Sequence, residues 1–201
     1  MDQIIDFSKI EFLSDEEIAK RKEQELESKR AQRKAAIENV TPPAFQQTEQ
    51  DRLDQSVLKS VKRWAWHGNP NLCNLLLYGE SGTGKTRLAW IALQLLYVKT
   101  GAMPSSIGAE TFARRVISES NLMGQMVKAP ILLLDDLGKE RATPTAESAL
   151  FELIRERMDY LRPTIITTNY DIKELIARFN HQQTGKAIAR RIKEISFCLM
   201  V

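Results

Sequence analysis

Eight consecutive residues, Gly79–Thr86, carry the clearest chemical pattern in this chain of 201 residues. Their sequence, GESGTGKT, fits G-x-x-x-x-G-K-[ST], the phosphate-binding loop of nucleotide triphosphatases. The apolar run Asn74–Tyr78 predicts a buried strand before this phosphate loop, and residues 87–93 predict a helix behind it. Such a turn directs backbone N–H groups and the positive end of a helix dipole toward one point, where a polyphosphate fits. The pattern predicts nucleotide binding; the alternative is a glycine turn that only connects strand and helix.

Two side chains of the phosphate loop have predicted roles beyond the backbone. The Lys85 ammonium would reach the β- and γ-phosphates, and the Thr86 hydroxyl would take a place on Mg²⁺. The predicted nucleotide-binding residues are Gly79, Glu80, Ser81, Gly82, Thr83, Gly84, Lys85, Thr86 and Arg87.

A pair of carboxylates follows the most apolar run of the chain. Asp135 and Asp136 come directly after Ile131–Leu134, at the carboxyl end of a predicted buried strand, where ligands of open α/β sheets bind. We expect Asp135 to hold Mg²⁺, directly or through water, and Asp136 to orient or polarise the attacking water. Because an aspartate is shorter than a glutamate, we expect slow hydrolysis. The alternative is a pair that caps the segment beginning at Leu137.

A third polar side chain, Asn169, follows the predicted strand Thr164–Thr168. At a strand end, its amide can hydrogen-bond the γ-phosphate or the attacking water. The alternative interpretation is a turn residue before a helix capped by Asp171.

The remaining patterns supply the elements that must position these side chains. Pro104 within one weak strand suggests an edge position. The alternation of strands and helices predicts an α/β fold with a doubly wound, parallel, five-stranded sheet. The predicted strands are 74–78, 102–107, 131–134, 164–168 and 195–201, and the predicted helices are 49–66, 110–125, 143–160, one from 171 and one over 187–193.

Residues 1–40 form a charged arm that differs from the rest of the chain. Ser14 and Glu17 have the spacing of a capping box, and interleaved charges over residues 15–39 favour a solvated helix without a core of its own. Thr41-Pro42-Pro43 then ends the helix and marks the start of a domain over residues 41–201. The arm is either a merely solvated extension or tether, or a partner-binding segment.

Composition adds weaker constraints. The net charge of +3 and a pI near 8.8 permit contact with nucleic acid but do not argue for it. The chain has no apolar signal segment and no run as long as a membrane span, and its two cysteines lack C-x-x-C spacing. These observations predict a cytoplasmic protein with no membrane partner.

Three motifs together resemble one family. The phosphate loop, Asp135-Asp136-Leu137-Gly138 and Thr167-Thr168-Asn169-Tyr170 resemble the AAA+ ATPases, and more narrowly the DnaC/DnaI helicase loaders and the related IstB-type transposition ATPases. The resemblance covers roughly residues 41–197. It implies ATP as the nucleotide, weak ATPase activity, and Asn169 as the sensor 1 residue. The chain as given stops after the last predicted strand, so no C-terminal helical lid is expected.

The resemblance also implies an arginine finger in the helix before the last strand. The residues there favour Arg191, with Arg190 as its neighbour, and such an arginine acts on the nucleotide of an adjacent subunit. Self-association through the ATP site is therefore expected. The alternative is a solvated basic helix.

The function that the resemblance implies is loading of a replicative, hexameric DnaB-type helicase onto single-stranded DNA. Arg114 and Arg115, with Lys128, Lys139 and Arg141, would contact that DNA; the alternative is ordinary surface charge. Other hypotheses are an IstB-like ATPase that regulates a transposase on duplex DNA, a small-molecule kinase, and a nucleotide-dependent adaptor that hardly hydrolyses ATP.

Overall fold

The computed structural model describes residues 14–46, 49–68, 73–139, 143–179 and 182–201. The strands are β1 (Asn74–Tyr78), β2 (Pro104–Gly108), β3 (Ile131–Leu137), β4 (Thr164–Thr168) and β5 (Ser196–Met200). The helices are α1 (Asp15–Val40), α2 (Pro43–Gln46), α3 (Gln55–His67), α4 (Lys85–Thr100), α5 (Ala109–Arg115), α6 (Leu122–Lys128), α7 (Pro144–Asp159), α8 (Ile172–Arg178) and α9 (Gln182–Ile195).

The five strands form one parallel sheet in the order β2-β3-β4-β1-β5. The predicted parallel five-stranded α/β fold is confirmed, and β2 lies at an edge, as Pro104 indicated. β4 lies between β1 and β3, with Leu133 opposite Ile165 and Leu76 opposite Ile166. The carboxyl ends of β1, β3 and β4 therefore meet at one edge of the sheet.

Helices cover both faces of the sheet, so its central strands are apolar on both sides. One core lies between the sheet and helices α1, α3 and α4; the other lies beneath α5, α6, α7 and α9. Leu75 and Leu77 point into the first core and Leu76 into the second, and all three are nearly inaccessible to solvent. Each buried leucine contributes about 2 kcal/mol to folding, which explains the uninterrupted apolar run of β1.

The predicted helix starts at Ser14, Thr143 and Asp171 are confirmed. The Ser14 hydroxyl accepts from the Glu17 N–H, while the Glu17 carboxylate accepts from the Ser14 N–H at 2.8 Å. Asp171 forms the same reciprocal capping box at the start of α8, and the Thr143 hydroxyl accepts from Ala146 N–H at the start of α7. These caps satisfy N–H groups that a helix start leaves unpaired.

Two predicted helices are interrupted in the structure. The predicted helix over 49–66 is a 3-10 turn, Gln50–Arg52, followed by α3, because Asp54 caps a new start by accepting from Ser56 and Val57 N–H groups. The predicted helix over 110–125 is split into α5 and α6. A continuous helix would separate the directions of Phe112 and Leu122 by about 80°, whereas the intervening turn lets both pack into the same core.

Helix α9 is longer than the two turns predicted for it. It begins at Gln182 and includes Gly185, a residue that weakens helices in isolation. A Cβ at position 185 would lie 2.9 Å from the Ile176 carbonyl oxygen and 3.1 Å from Phe179 Cβ. The glycine therefore permits close contact between α9 and α8, a tertiary requirement that outweighs its low helix propensity.

The arm joins the domain through the last part of α1. Residues 14–32 are exposed, whereas Ile37 is 1% exposed and belongs to the first core. Arg33 Nη1 donates to the carbonyl oxygens of Val98 and Lys99, at 3.1 Å each, near the end of α4. The helix is solvated at its start and anchored at its end. Across the described ranges, no helix combines the length and the apolar character needed to cross a membrane.

One arginine lies inside the second core. Arg157 of α7 is 1% exposed, and burial lowers its pKa to about 10, which leaves it a cation at neutral pH. Its Nε donates to the Thr164 hydroxyl at 2.9 Å. Its other donors contact carbonyl oxygens of residues that precede β3 and β4: Met126 (2.8 Å), Val127 (3.1 Å), Ala129 (2.7 Å) and Pro163 (2.8 Å). The guanidinium thus ties together the segments that enter two central strands.

We expect Arg157→Met to lower the free energy of unfolding by about 3 kcal/mol or more, because one buried and three partly buried carbonyl groups lose their donor. Urea unfolding followed by circular dichroism measures this change. Arg155→Met, the same substitution on the same helix, removes a partly exposed pair with Glu156 and should cost less than about 1 kcal/mol. Equal unfolding free energies for the two variants would contradict a structural role for Arg157.

Candidate nucleotide-binding site

The phosphate loop connects β1 to α4, and its glycines adopt backbone angles that other residues avoid. The φ angles of Gly79, Gly82 and Gly84 are 145°, 88° and 98°. A Cβ on Gly84 would lie 2.7 Å from Leu53 Cδ2, and one on Gly79 would overlap the carbonyl oxygen of Val201. Backbone angles and close contacts together explain why glycine stands at these positions.

Lys85, the first residue of α4, folds back over the phosphate loop. Its Nζ donates to the carbonyl oxygens of Gly79 and Glu80 at 2.9 and 2.5 Å. Burial lowers the pKa of Lys85; the nearby charge of Asp136 opposes that shift, Lys139 adds to it, and Asp135 opposes it. The Lys85 ammonium is thus held near the N-terminus of α4, where it could bind a phosphate group of a nucleotide.

Asp135 connects three elements at the carboxyl edge of the sheet. Its Oδ1 accepts from the Thr86 hydroxyl at 3.1 Å and from the Thr167 hydroxyl at 2.5 Å. The Thr167 oxygen in turn accepts from the Asp136 N–H at 2.8 Å. A single buried hydroxyl on β4 therefore orients both carboxylate residues at the end of β3.

The pair of Thr86 and Asp135 fits Mg²⁺. Both offer oxygen atoms, the ligands that Mg²⁺ prefers, and a nucleotide-bound Mg²⁺ needs few protein ligands because phosphates and water supply the rest. In the part of the chain that the structure covers, no cluster of three or more His, Cys, Asp or Glu side chains forms a metal site of its own. These two side chains would hold the ion against the phosphates.

Asp136 has an unusual backbone. Its φ is 60°, a left-handed conformation that is rare outside glycine, and it coincides with a break in the β3–β4 register between Leu134 and Leu137. Its Oδ1 lies 2.8 Å from the Lys139 Nζ. Residues with strained backbone angles often lie at functional sites. The left-handed angle of Asp136 changes the direction of its carboxylate relative to a regular strand.

Two adjoining cavities lie over the phosphate loop. The first, the phosphate cavity, has a volume of about 240 Å³ and is lined by Phe45, Ser81, Gly82, Gly84, Lys85, Thr86, Arg87, Asp136, Lys139 and Asn169. The second, the outer cavity, has a volume of about 360 Å³ and is lined by Ala44, Glu49, Arg52, Leu53, Gly82, Thr83, Gly84 and Arg87. They share Gly82, Gly84 and Arg87, so a nucleotide can extend from one into the other.

Arg87 lines both cavities. Its Nη1 donates to the Ala44 carbonyl at 3.1 Å, and its guanidinium lies 5.9 Å from the centre of the Phe45 ring, which stacks on Trp90. The segment entering the domain at Ala44 is thereby fixed beside the phosphate loop. It forms the wall on which the nucleoside would rest.

The structure brings together the predicted residues of the phosphate loop, Asp135, Asp136 and Asn169, but leaves the predicted arginines elsewhere. Arg191 of α9 donates to Asp159 Oδ1 at 2.6 Å, and Arg190 pairs with Glu194 at 3.0 Å. Neither lines the two cavities.

The predicted DNA-contacting arginines also lie apart from the nucleotide cavities. Arg114 and Arg115 are at the end of α5, where Arg115 forms a two-pronged pair with Glu119 at 2.6 and 2.8 Å. Lys128 is exposed at the end of α6, and Arg141 lies outside the described residues.

The residue pattern predicts no role for Thr167 and places Lys139 only in a basic surface. Thr167 precedes Asn169 by two residues. Because alternate residues of a strand share a face, this spacing could have indicated that the Thr167 hydroxyl lies on the same side as Asn169. What the sequence did not reveal is that β4 lies beside β3, which brings Thr167 to Asp135.

We expect Thr167→Val to raise about tenfold the Mg²⁺ concentration needed for tight ATP binding, because residues that orient a metal ligand typically contribute 10–100-fold to affinity. ATP titrations at stepped Mg²⁺ concentrations measure this. Thr168→Val is the matched control: it removes a hydroxyl that donates to the Leu137 carbonyl and not to Asp135. An unchanged Mg²⁺ requirement in Thr167→Val would remove Thr167 from the site.

The sequence of this chain is similar to those of known ATP-binding proteins. The family model for IstB-like ATP binding proteins matches residues 3–201. The replicative helicase loader DnaC of Buchnera aphidicola is 25% identical over 127 residues, which cover 59% of this chain and 52% of that protein. A candidate ATP-binding protein in an insertion sequence of Mycobacterium tuberculosis is 27% identical over 177 residues, which cover 82% of this chain and 67% of that protein. The chain thus spans about half the length of the DnaC relatives that it matches.

Solved structures agree on the fold. The crystal structure of the DnaC helicase loader has a TM-score of 0.63 at 25% identity, covering 73% of this chain and 88% of that one. The crystal structure of DnaI has a TM-score of 0.65 at 22% identity, covering 80% and 91%, and so shows a shared fold. The predicted resemblance to AAA+ ATPases of the DnaC and IstB type is confirmed, and since the family model matches nearly all of its residues, the chain belongs to the family of IstB-like ATP binding proteins.

Proposed function

We propose that this protein loads a replicative, hexameric DnaB-type helicase onto single-stranded DNA, and that ATP controls its assembly. The observation that carries the proposal is the likeness to the solved DnaC helicase loader, which extends over 88% of that structure at 25% identity. The phosphate cavity supplies the site at which the switch would operate.

The residues around the phosphate cavity would bind and slowly hydrolyse ATP. Lys85 and the phosphate-loop N–H groups would bind the phosphates, Thr86 and Asp135 would hold Mg²⁺, and Asn169 would bind the γ-phosphate or the attacking water. Mg²⁺, when bound, neutralises charge on the phosphates. Asp136 is short and paired with Lys139, which supports a weak ATPase that a partner or DNA stimulates.

The position of Arg191 supports assembly through the nucleotide. Its side chain lies on α9, outside the cavities of its own chain, and is about one third exposed. An arginine there would complete the site of a neighbouring subunit and stabilise the charge that develops on the transferred phosphoryl group. ATP would then hold subunits together until hydrolysis.

The arm is the proposed helicase-binding segment. Its exposed residues 14–32 form a charged helix that extends from the domain, while Arg33 and Ile37 anchor its end. Arg114 and Arg115 at the end of α5, with Lys128 at the end of α6, are exposed and are the proposed contacts for the DNA backbone.

A second candidate is regulation of a transposase on duplex DNA. It is favoured by the insertion-sequence relative of Mycobacterium tuberculosis, which aligns with 82% of this chain, against 59% for the DnaC relative of Buchnera aphidicola. Both functions use the same nucleotide site, so the partner of the arm distinguishes them.

We expect Lys85→Ala to weaken ATP binding roughly 100-fold, because it removes a charge-assisted contact from a buried site. Arg191→Ala should keep its ATP dissociation constant within about twofold but lose hydrolysis by ~10³-fold, the lower range for an arginine finger. Isothermal titration and steady-state phosphate release measure the two quantities. Arg190→Ala, one residue away, should retain hydrolysis. Tight ATP binding by Lys85→Ala would reject the site, and normal hydrolysis by Arg191→Ala would reject the finger.

We expect native mass spectrometry to detect a complex of the full chain, ATP and the host's replicative helicase, and to detect none when residues 1–28 are deleted. The deletion ends before Arg30, which lies over the Trp66 ring at 5.3 Å, and before Arg33 and Ile37, so the anchored part of α1 is kept. An unchanged melting temperature confirms that the shortened chain folds. A complex with a transposase and duplex DNA, and none with the helicase, would favour the second candidate.

A further inference from the structure

A second ammonium group faces the phosphate cavity beside the Asp136 carboxylate. Lys139 Nζ lies 2.8 Å from Asp136 Oδ1, and its side chain lines the phosphate cavity together with Lys85 and Asn169. The G-x-x-x-x-G-K-[ST] pattern requires only one lysine, which is Lys85. Lys139 is therefore a cation in the site that the motif does not explain.

The turn after β3 fixes where Lys139 lies. The Lys139 N–H donates to the Asp136 carbonyl at 3.3 Å, and Gly138 between them has a φ of 90°. A Cβ on Gly138 would lie 2.9 Å from Leu175 Cδ1, and the Gly138 carbonyl accepts from Arg178 Nε at 2.9 Å. The turn packs against α8. This packing fixes the position of the turn, and therefore of Lys139, over the end of β3.

The pair of Lys139 and Asp136 is open to solvent. The two side chains are 38% and 41% exposed, and an exposed ion pair contributes little to stability. A polyphosphate carries several negative charges and accepts charge-assisted hydrogen bonds from lysine. Because the stem of Lys139 is long and flexible, the ammonium can exchange one oxygen partner for another at small cost.

The position of the pair identifies which phosphate is in reach. Asp136 lies one residue before the end of β3, and Asn169 directly follows β4. These are the side chains proposed for the attacking water and the γ-phosphate, whereas the backbone of the phosphate loop would surround the α- and β-phosphates. A cation within hydrogen-bonding distance of Asp136 lies on the γ side of the cavity.

We propose that Lys139 leaves Asp136 when ATP binds and forms a direct contact with the γ-phosphate, so that it makes this site prefer ATP over ADP. The inference rests on the proposed ATP site and adds a specificity-determining residue to it. The same exchange frees Asp136 Oδ1 for water, so the carboxylate becomes available when the γ-phosphate is present.

The test compares affinities for two nucleotides in the full chain. Isothermal titration at fixed salt and Mg²⁺ gives dissociation constants for ADP and for the non-hydrolysable analogue AMPPCP. We expect Lys139→Ala to weaken AMPPCP binding about tenfold, equivalent to ~1.4 kcal/mol, with ADP binding changed less than twofold. Lys139→Arg should keep most of the preference, since it retains a cation of similar reach.

The control is Lys59→Ala, which removes an exposed lysine from α3 and should change neither constant. Equal weakening of both nucleotides by Lys139→Ala indicates a structural role and overturns the inference, as does no change in either. Both outcomes leave the ATP site in place. Failure of the unaltered protein to bind either nucleotide would overturn the proposed function and the inference together.

Discussion

The hydroxyl of Thr167 lies between the two carboxylate residues, and the arrangement of the site depends on it. It donates to Asp135 and accepts from the Asp136 N–H, while Asp135 also accepts from Thr86 at the start of α4. Three elements far apart in the chain are joined by these contacts. They form only because β3 and β4 are neighbours in a parallel sheet whose carboxyl ends coincide.

The polar groups at the two ends of the sheet have different surroundings. At the amino end, Arg157 donates to the carbonyl groups that precede β3 and β4, and Asn74 Oδ1 accepts from Thr164 N–H at 2.9 Å. These backbone groups are paired within the protein, which avoids the cost of leaving them unsatisfied, whereas Asn74 Nδ2 and Ser196 Oγ at the same end are buried without a partner. At the carboxyl end, the polar groups of the phosphate loop, Asp136 and Lys139 face a cavity instead, where a ligand can bind them.

Helix α4 contacts the arm at one end and contributes to the nucleotide site at the other. Its first residue, Lys85, lies in the phosphate loop, and carbonyl groups near its last turn accept from Arg33 of α1. Between them, Thr41, which ends α1, accepts from Gln94 of α4 at 3.1 Å. The proposed partner-binding segment and the proposed switch are thus attached to the same helix, so the orientation of one is fixed relative to the other.

Local patterns in the sequence determined several elements of the fold and of the nucleotide site. The phosphate loop, the apolar strands before Gly79 and Asp135, and the caps at Ser14, Thr143 and Asp171 follow from interactions within a few residues, and a single chain segment specifies them. The strand order was decided by tertiary structure, and with it the contact of Thr167 with Asp135, because pairing between distant segments leaves no local signal. Packing also decided where α5 ends and why Gly185 lies inside α9. Asp136 and Lys139 are only three residues apart, but the turn that pairs them, with the left-handed backbone of Asp136, is held against α8, and only the folded chain brings that turn and α8 together.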